Sequence, residues 1–388
     1  MQQHSPKTVG ILTLFYQNYN FGAILQAYAL YHYLSKQSYV CEEINFLSDE
    51  AAARFKRNSR LQGLLHPVSY VFDRIKTCQA RKEYFMRDFS RTQIEAFDAF
   101  IRREFSSTQV YGDKSIYDLA ERYDWNLVGG DQVWNPTWSA KAYFLEYVRR
   151  GQKIAYSCSI GNDILTKRET DWIISHAKNL DSVSVREADS AELLRNRGLP
   201  CAHVPDPVFL LSSDEWRDFA RQEQPLIEKP YCFSYLLGLD AEPRKRIRDF
   251  ADRNHVALVS IPHIRFALNK NDIGYADIDI TTAGPREFVN LIANAEYVFT
   301  DSFHGSAFSL LLGKRFRSLD RSFFGKNSQL SRLLSLLRDY SMEKRLISID
   351  AVPETKFAPS ESEYSPLLAA QIERSRLAGQ SYLREAMK

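Results

Sequence analysis

The segment from Glu296 to Phe316 reads E-Y-V-F-T-D-S-F-H-G-S-A-F-S-L-L-L-G-K-R-F and holds the best-placed acid–base group in the chain, His304. Histidine changes charge near neutral pH, so beside a bound anion it can move a proton to or from a substrate. Ser302 and Gly305 flank it and offer a hydroxyl and a backbone N–H. The plain alternative is that His304 only caps a helix or packs. Three further groups could do chemistry. Gly129, Gly130 and Asp131 follow the apolar run W-N-L-V; paired glycines admit a ligand or another backbone closely. Asp131 could act as a base, bind a hydroxyl, or cap the next turn. Arg186 follows S-V-S-V, and its planar fork can bind two oxygens of a carboxylate or phosphate at once; otherwise it forms a salt bridge with a helix or with Glu187. Asn20 and Gly22, in Y-N-F-G, present an amide and backbone N–H groups after the first apolar run.

Each of these residues needs a strand end to hold it. Tyr297, Val298 and Phe299 predict a buried parallel strand. Thr300, Asp301 and Ser302 offer N-cap side chains, and the apolar run after them predicts a helix stopped by Gly313. The same strand–turn–helix unit is predicted at residues 8–15 followed by 23–34. It lacks G-x-G-x-x-G, so it is not the usual dinucleotide site. Strands are also predicted at 40–46, 125–128, 153–157, 182–185, 231–236, 256–261, 278–281, 297–300 and 314–319. The helices predicted include 285–294, which Pro285 starts, 327–337 and 365–387. Pro205 and Pro207 around Asp206 predict a hinge or domain exit at 201–210. Strand–helix alternation in both halves predicts an α/β protein with two doubly wound Rossmann-like domains facing a central cleft, as in glycosyltransferase-B enzymes. The expected division is 1–210, carrying a basic helical insertion at about 51–105, then 211–360, then a terminal helix in 361–388. In such sheets ligands sit at the carboxyl ends of strands, beside helix N-termini that favour anions.

Composition supports a globular reading. At 388 residues the chain exceeds one ordinary core, and 44% of it is apolar. No run approaches the ~20 apolar residues of a membrane span. The start, M-Q-Q-H-S-P-K, has no signal-peptide pattern. The five cysteines (Cys41, Cys78, Cys158, Cys201, Cys232) are scattered without a C-x-x-C pair, which points away from zinc and from a disulfide framework. A cytoplasmic location is expected. The net charge is +3, yet residues 51–105 hold twelve Lys/Arg against six Asp/Glu, a local +6, so the rest carries −3. That basic stretch reads as a solvated helical insertion or as a surface for anionic membrane. No nucleic-acid motif accompanies it. No carboxylate or histidine cluster has metal-ligand spacing, and no metal or cofactor is expected.

Five motifs occur in one order: N-Y-N-F-G-A-I-L-Q, L-V-G-G-D-Q-V-W-N, S-V-R-E-A-D-S, P-D-P-V-F and D-S-F-H-G-S-A-F-S. Together they resemble the polysaccharide pyruvyl transferases over roughly Val9 to Ile347. The resemblance implies phosphoenolpyruvate as donor and transfer of its carboxyvinyl carbons onto two hydroxyls of a sugar. The product would be a cyclic pyruvate ketal, with phosphate leaving. The acceptor implied is a cell-surface glycan or its lipid-linked precursor, at the inner face of the membrane. Under that resemblance His304 matches the family histidine that protonates the methylene carbon. Asp131 becomes an acceptor-side base. Arg186, Ser302, Gly305, Gly129, Gly130, Asn20 and Gly22 become substrate-binding residues. Many relatives carry an arginine two residues before the histidine, where this chain has Ser302. Arg332 is the candidate replacement, with Lys326 behind it. A nucleotide-sugar glycosyltransferase of the same layout, and a non-catalytic glycan-binding relative, are the alternatives.

Overall fold

The computed structural model describes residues 7–52, 77–162, 164–263, 270–321, 330–352 and 365–388. The first six strands are β1 (Thr8–Leu12), β2 (Val40–Glu43), β3 (Trp125–Gly129), β4 (Gln152–Cys158), β5 (Ser182–Val185) and β6 (Ala202–His203). They form one sheet in the order β2-β1-β3-β4-β5-β6, parallel throughout. The second six are β7 (Tyr231–Tyr235), β8 (Ala257–Ser260), β9 (Ile278–Asp279), β10 (Tyr297–Thr300), β11 (Arg315–Leu319) and β12 (Leu346–Ile347). They build a second parallel sheet in the order β12-β11-β10-β7-β8-β9. Strands β3, β7 and β10 are buried at every position. Helices cover both faces of a parallel sheet, and this is why these strands read as apolar runs and not as alternation.

Each sheet reverses direction once. In the first the chain leaves β1 towards β2 and returns to β3 on the other side; in the second it runs outward from β7 to β9 and returns to β10. Such switch points are where α/β sheets open a crevice at their carboxyl ends. Asn20 and Gly22 follow β1, Gly130 and Asp131 follow β3, and His304 follows β10. The candidate residues therefore collect at two facing switch points.

The helix predicted over residues 23–34 runs from Phe21 to Lys36, and its first ten residues are all buried, because it lies between the two sheets. Phe21 stacks on Phe288 with ring centroids 4.6 Å apart, and the helix also meets Phe303–Leu311. One apolar core cluster runs through both domains. Two further elements tie them. The helix Thr77–Glu104 buries Phe97 and Phe100, and Glu104 pairs with the buried Arg286 of the second domain at 2.8 Å. The described end of the basic insertion is thus a strut between domains; residues 53–76, on which a membrane reading also rests, lie outside the described residues. The C-terminal helix Pro366–Ala386 returns to the first domain, where Tyr382 donates to the Ala155 carbonyl at 2.8 Å and Gln380 to the Leu210 carbonyl at 3.0 Å.

The stretch expected to be a hinge is a buried one. Pro207–Leu210 forms a 3-10 turn with all four residues buried. Proline tolerates the first helical position because no N–H is needed there, and Asp206 caps the turn by accepting from Val208 N at 3.1 Å.

Candidate active site

β10 ends in a turn whose polar groups are largely taken up within the protein. Thr300 Oγ1 donates to the Tyr235 carbonyl at 2.7 Å. Asp301 accepts from Leu237 N at 2.6 Å and Gly238 N at 2.8 Å, which closes the second switch point. Ser302 caps the following helix, its Oγ accepting from Gly305 N at 3.3 Å. A Cβ on Gly305 would lie 2.4 Å from Thr300 Oγ1, so glycine there lets the helix start fold back on its own strand. Both residues expected to meet the donor are thus engaged in the cap, and what Ser302 retains for a ligand is its hydroxyl proton.

His304 stands on the first turn of that helix and is 6% exposed. Its imidazole crosses to the other domain. Nε2 lies 3.5 Å from Asp206 Oδ2, an ion-pair distance that is long for a hydrogen bond. On the other side the ring rests on Gly22, where a Cβ would fall 1.9 Å from Nδ1. Asn20 Oδ1 accepts from Gly22 N at 2.9 Å and Ala23 N at 3.2 Å, so these N–H groups serve the helix cap. Two helix N-termini, from Phe21–Lys36 and Phe303–Leu311, therefore meet at His304, and neither has an acidic residue in its first turn. Both favour negative charge at this point. Gly22→Ala is expected to displace the imidazole and to destabilise the protein by ~1–3 kcal/mol through overpacking. Unfolding midpoints would read the loss, and an unchanged midpoint would show that the ring yields freely.

Arg186 follows β5 directly, with its side chain 3% exposed. Nη1 donates to Asp206 Oδ2 at 2.6 Å, Nε donates to Glu187 Oε1 at 3.3 Å, and the guanidinium lies 4.0 Å above the Phe303 ring. Nη2 has no hydrogen-bond partner among the described residues. Burial works against the Arg186 charge, yet the carboxylates of Glu187, Asp206 and Asp131 outweigh it and raise its pKa. Burial likewise opposes ionisation of Asp206, but His304 and Arg186 hold its carboxyl down at about 2. Glu187 is buried as well and accepts from Ser159 Oγ at 2.5 Å.

Asp131 and Gln132 follow the two glycines. A Cβ on Gly129 would lie 1.9 Å from the Tyr156 carbonyl oxygen, and one on Gly130, at φ +65°, would lie 1.6 Å from Gln26 Oε1. These glycines admit neighbouring protein, not an open space for ligand. Asp131 is half-buried and holds φ at +50°. In the amide orientation that satisfies its partners, Gln132 accepts from Arg332 Nη1 at 2.7 Å. Arg332 is buried, and desolvation together with the Arg186 cation pulls its pKa down to about 10. The structure thus brings His304, Arg186, Arg332 and Asp131 into one cluster; Lys326 lies outside the described residues. Sequence reasoning missed Asp206 and Gln132 as site residues, and named Glu187 only as a possible salt-bridge partner of Arg186, a pairing the structure contains. A carboxylate set between two prolines directly after a short strand was the available sign for Asp206. Among the described residues no group of three or more His, Cys, Asp or Glu side chains is placed to hold a metal, and no helix is long and apolar enough to cross a membrane.

Two parallel α/β domains, with a cluster of buried charged side chains between their switch points, form a glycosyltransferase-B-like fold. The chain is similar to the UDP-N-acetylglucosamine 2-epimerase of Rickettsia bellii, at 11% identity and a TM-score of 0.52, covering 98% of this chain and 96% of that one. It is also similar to a Listeria monocytogenes protein assigned to the UDP-N-acetylglucosamine 2-epimerases, at 12% identity and a TM-score of 0.51, with 98% of each chain covered. At these identities the likeness is one of fold. No curated protein sequence matches the chain significantly. The family model for polysaccharide pyruvyl transferase matches residues 20–322. The chain belongs to that family and is a transferase.

Proposed function

We propose that the protein moves the enolpyruvyl group of phosphoenolpyruvate onto two hydroxyls of a sugar, closing a pyruvate ketal and releasing phosphate. The observation that carries this reading is the set of buried Arg186, Arg332 and His304, with His304 where two helix N-termini meet. Such a site suits a donor with both a carboxylate and a phosphate, since guanidinium forks and helix N-termini favour anions. Arg332 takes the place of the family arginine that Ser302 lacks. A proton from His304 goes to the donor methylene and leaves a methyl group. The C2 cation that forms is attacked by one sugar hydroxyl, the C2–O bond to phosphate breaks, and the second hydroxyl closes the ring. Asp131 takes a hydroxyl proton, and the other leaves with phosphate. The exposed indole of Trp138, whose Nε1 donates to the Gln132 carbonyl at 3.2 Å, offers a sugar ring a flat apolar face beside Asp131.

The acceptor in this reading is a surface glycan or its lipid-linked precursor on the cytoplasmic side. Attraction of the basic residues in 51–105 to anionic headgroups would favour the lipid-linked form.

Ligand-induced shifts in melting temperature test the donor, since a ligand that binds only the native state stabilises it by ~2.7 kcal/mol at a hundred times its Kd. Phosphoenolpyruvate should raise Tm with concentration and UDP should not. A rise with UDP alone would point to a nucleotide-sugar transferase instead. Phosphate released from phosphoenolpyruvate only when a glycan acceptor is present would complete the assignment.

A further inference from the structure

We propose that Asp206 is a positioning residue for the transfer: standing in the first domain, it sets the imidazole of His304, a residue of the second domain, against the Arg186 guanidinium. The catalytic consequence rests on His304 being the proton donor; the geometry does not. Asp206 is 1% exposed. Its Oδ1 accepts from Val208 N at 3.1 Å, which ties the carboxylate to the turn that Pro207 opens. Its Oδ2 accepts from Arg186 Nη1 at 2.6 Å and faces His304 Nε2 at 3.5 Å. The carboxylate therefore cannot turn without giving up contacts to backbone, guanidinium and imidazole together. Pro205 and Pro207 on either side fix the chain that carries it.

The opposite wall of the ring is Gly22, also from the first domain. The His304 backbone belongs to one domain and both walls of its side chain to the other. The ring is thus held only while the domains are closed on each other. A salt bridge serving Arg186 alone would not need this arrangement, because Glu187 already accepts from Arg186 Nε. Asp206 faces the ring directly and Arg186 reaches it through Asp206; Glu187, Asp131 and Arg332 surround Arg186. The phenols of Tyr156 and Tyr340 sense Asp206, and burial keeps both in the neutral form.

The experiment reads the Nε2 proton in 1H–15N spectra of histidine-labelled, full-length protein. The wild type should show a slowly exchanging Nε2–H resonance, assigned by its loss in His304→Gln. In Asp206→Asn that resonance should move or be lost to exchange. The kcat with phosphoenolpyruvate should fall by up to ~10²-fold, the scale of a misplaced catalytic group, while the KM for phosphoenolpyruvate changes far less. In a His304→Gln background Asp206→Asn should add little further loss, because the two act as a unit. An Asp206→Asn protein with an unchanged Nε2–H resonance overturns the proposal. So does a wild type in which His304 carries no Nε2 proton. The wild-type spectrum decides the matter even where Asp206→Asn fails to fold. The spectra require neither donor nor acceptor, so failure of phosphoenolpyruvate to bind would count against the proposed reaction and leave the Asp206 assignment standing.

Discussion

His304→Gln is expected to lower pyruvyl transfer by ~10²–10⁴-fold, the usual worth of a positioned general acid, with the unfolding midpoint close to wild type. The physical argument has two parts. Glutamine fills much of the buried imidazole site and can donate an amide N–H towards Asp206, so no carboxylate is newly left alone; Arg186 still pairs with it at 2.6 Å. What glutamine lacks is a proton it can release near neutral pH. The methylene carbon of the donor must gain a proton before C2 can accept an oxygen nucleophile, and no other histidine stands at a sheet switch point among the described residues. The measurement is phosphate release from phosphoenolpyruvate with acceptor, alongside an unfolding curve. Turnover within about tenfold of wild type would remove His304 from the role of proton donor.

Arg186→Ala is expected to act on stability as strongly as on the donor. On sequence grounds this change would chiefly weaken donor binding, as for an arginine open to the cleft. The structure leaves the Arg186 side chain 3% exposed, between the side chains of Asp206 at 0% and Glu187 at 6%. Removing one partner of a buried pair leaves uncompensated charge and costs ~3–5 kcal/mol. The substitution also deletes the packing over Phe303, the residue that precedes His304. A lower unfolding midpoint should therefore accompany a weaker response of Tm to phosphoenolpyruvate. Arg186→Lys separates the two effects. It keeps a positive charge but not the fork that spans Asp206 and Glu187. It should therefore recover more of the stability than of the donor affinity. An Arg186→Ala protein with wild-type midpoint and wild-type donor response would exclude Arg186 from both roles.

The connection between these two residues shows how far sequence alone could reach. Apolar runs such as Y-V-F-T and W-N-L-V marked β10 and β3 because helices bury both faces of a parallel sheet. Polar residues after those runs marked the turns, since a strand that feeds a helix must supply a cap. His304, Arg186 and Asp131 could thus be assigned to strand ends from local pattern. The helix Phe21–Lys36 was also legible, but its burial on every side over the first turns was not. Periodicity records how many faces of a helix are apolar; it does not say that a second domain covers the remaining one.

Asp206 shows the limit most sharply. Its flanking prolines suggested a chain exit, and nothing in P-D-P-V-F announces a partner about a hundred residues away. Glycines carry the same ambiguity. Gly22 and Gly130 both permit close approach, but only the folded chain shows that an imidazole fills the first space and Gln26 the second. The sequence by itself determined two parallel α/β domains, the strand ends that carry the polar turns, and the family motifs. Those depend on spacing within some twenty residues, where backbone geometry dictates which side chains share a face. The tertiary structure alone decided that His304 meets Asp206 and Gly22 across the domain boundary, that Arg186 is enclosed by two carboxylates, and that Arg332 reaches Gln132 beside Asp131. These contacts join residues far apart in the chain, and they exist only once burial of the shared apolar core has brought the two domains together.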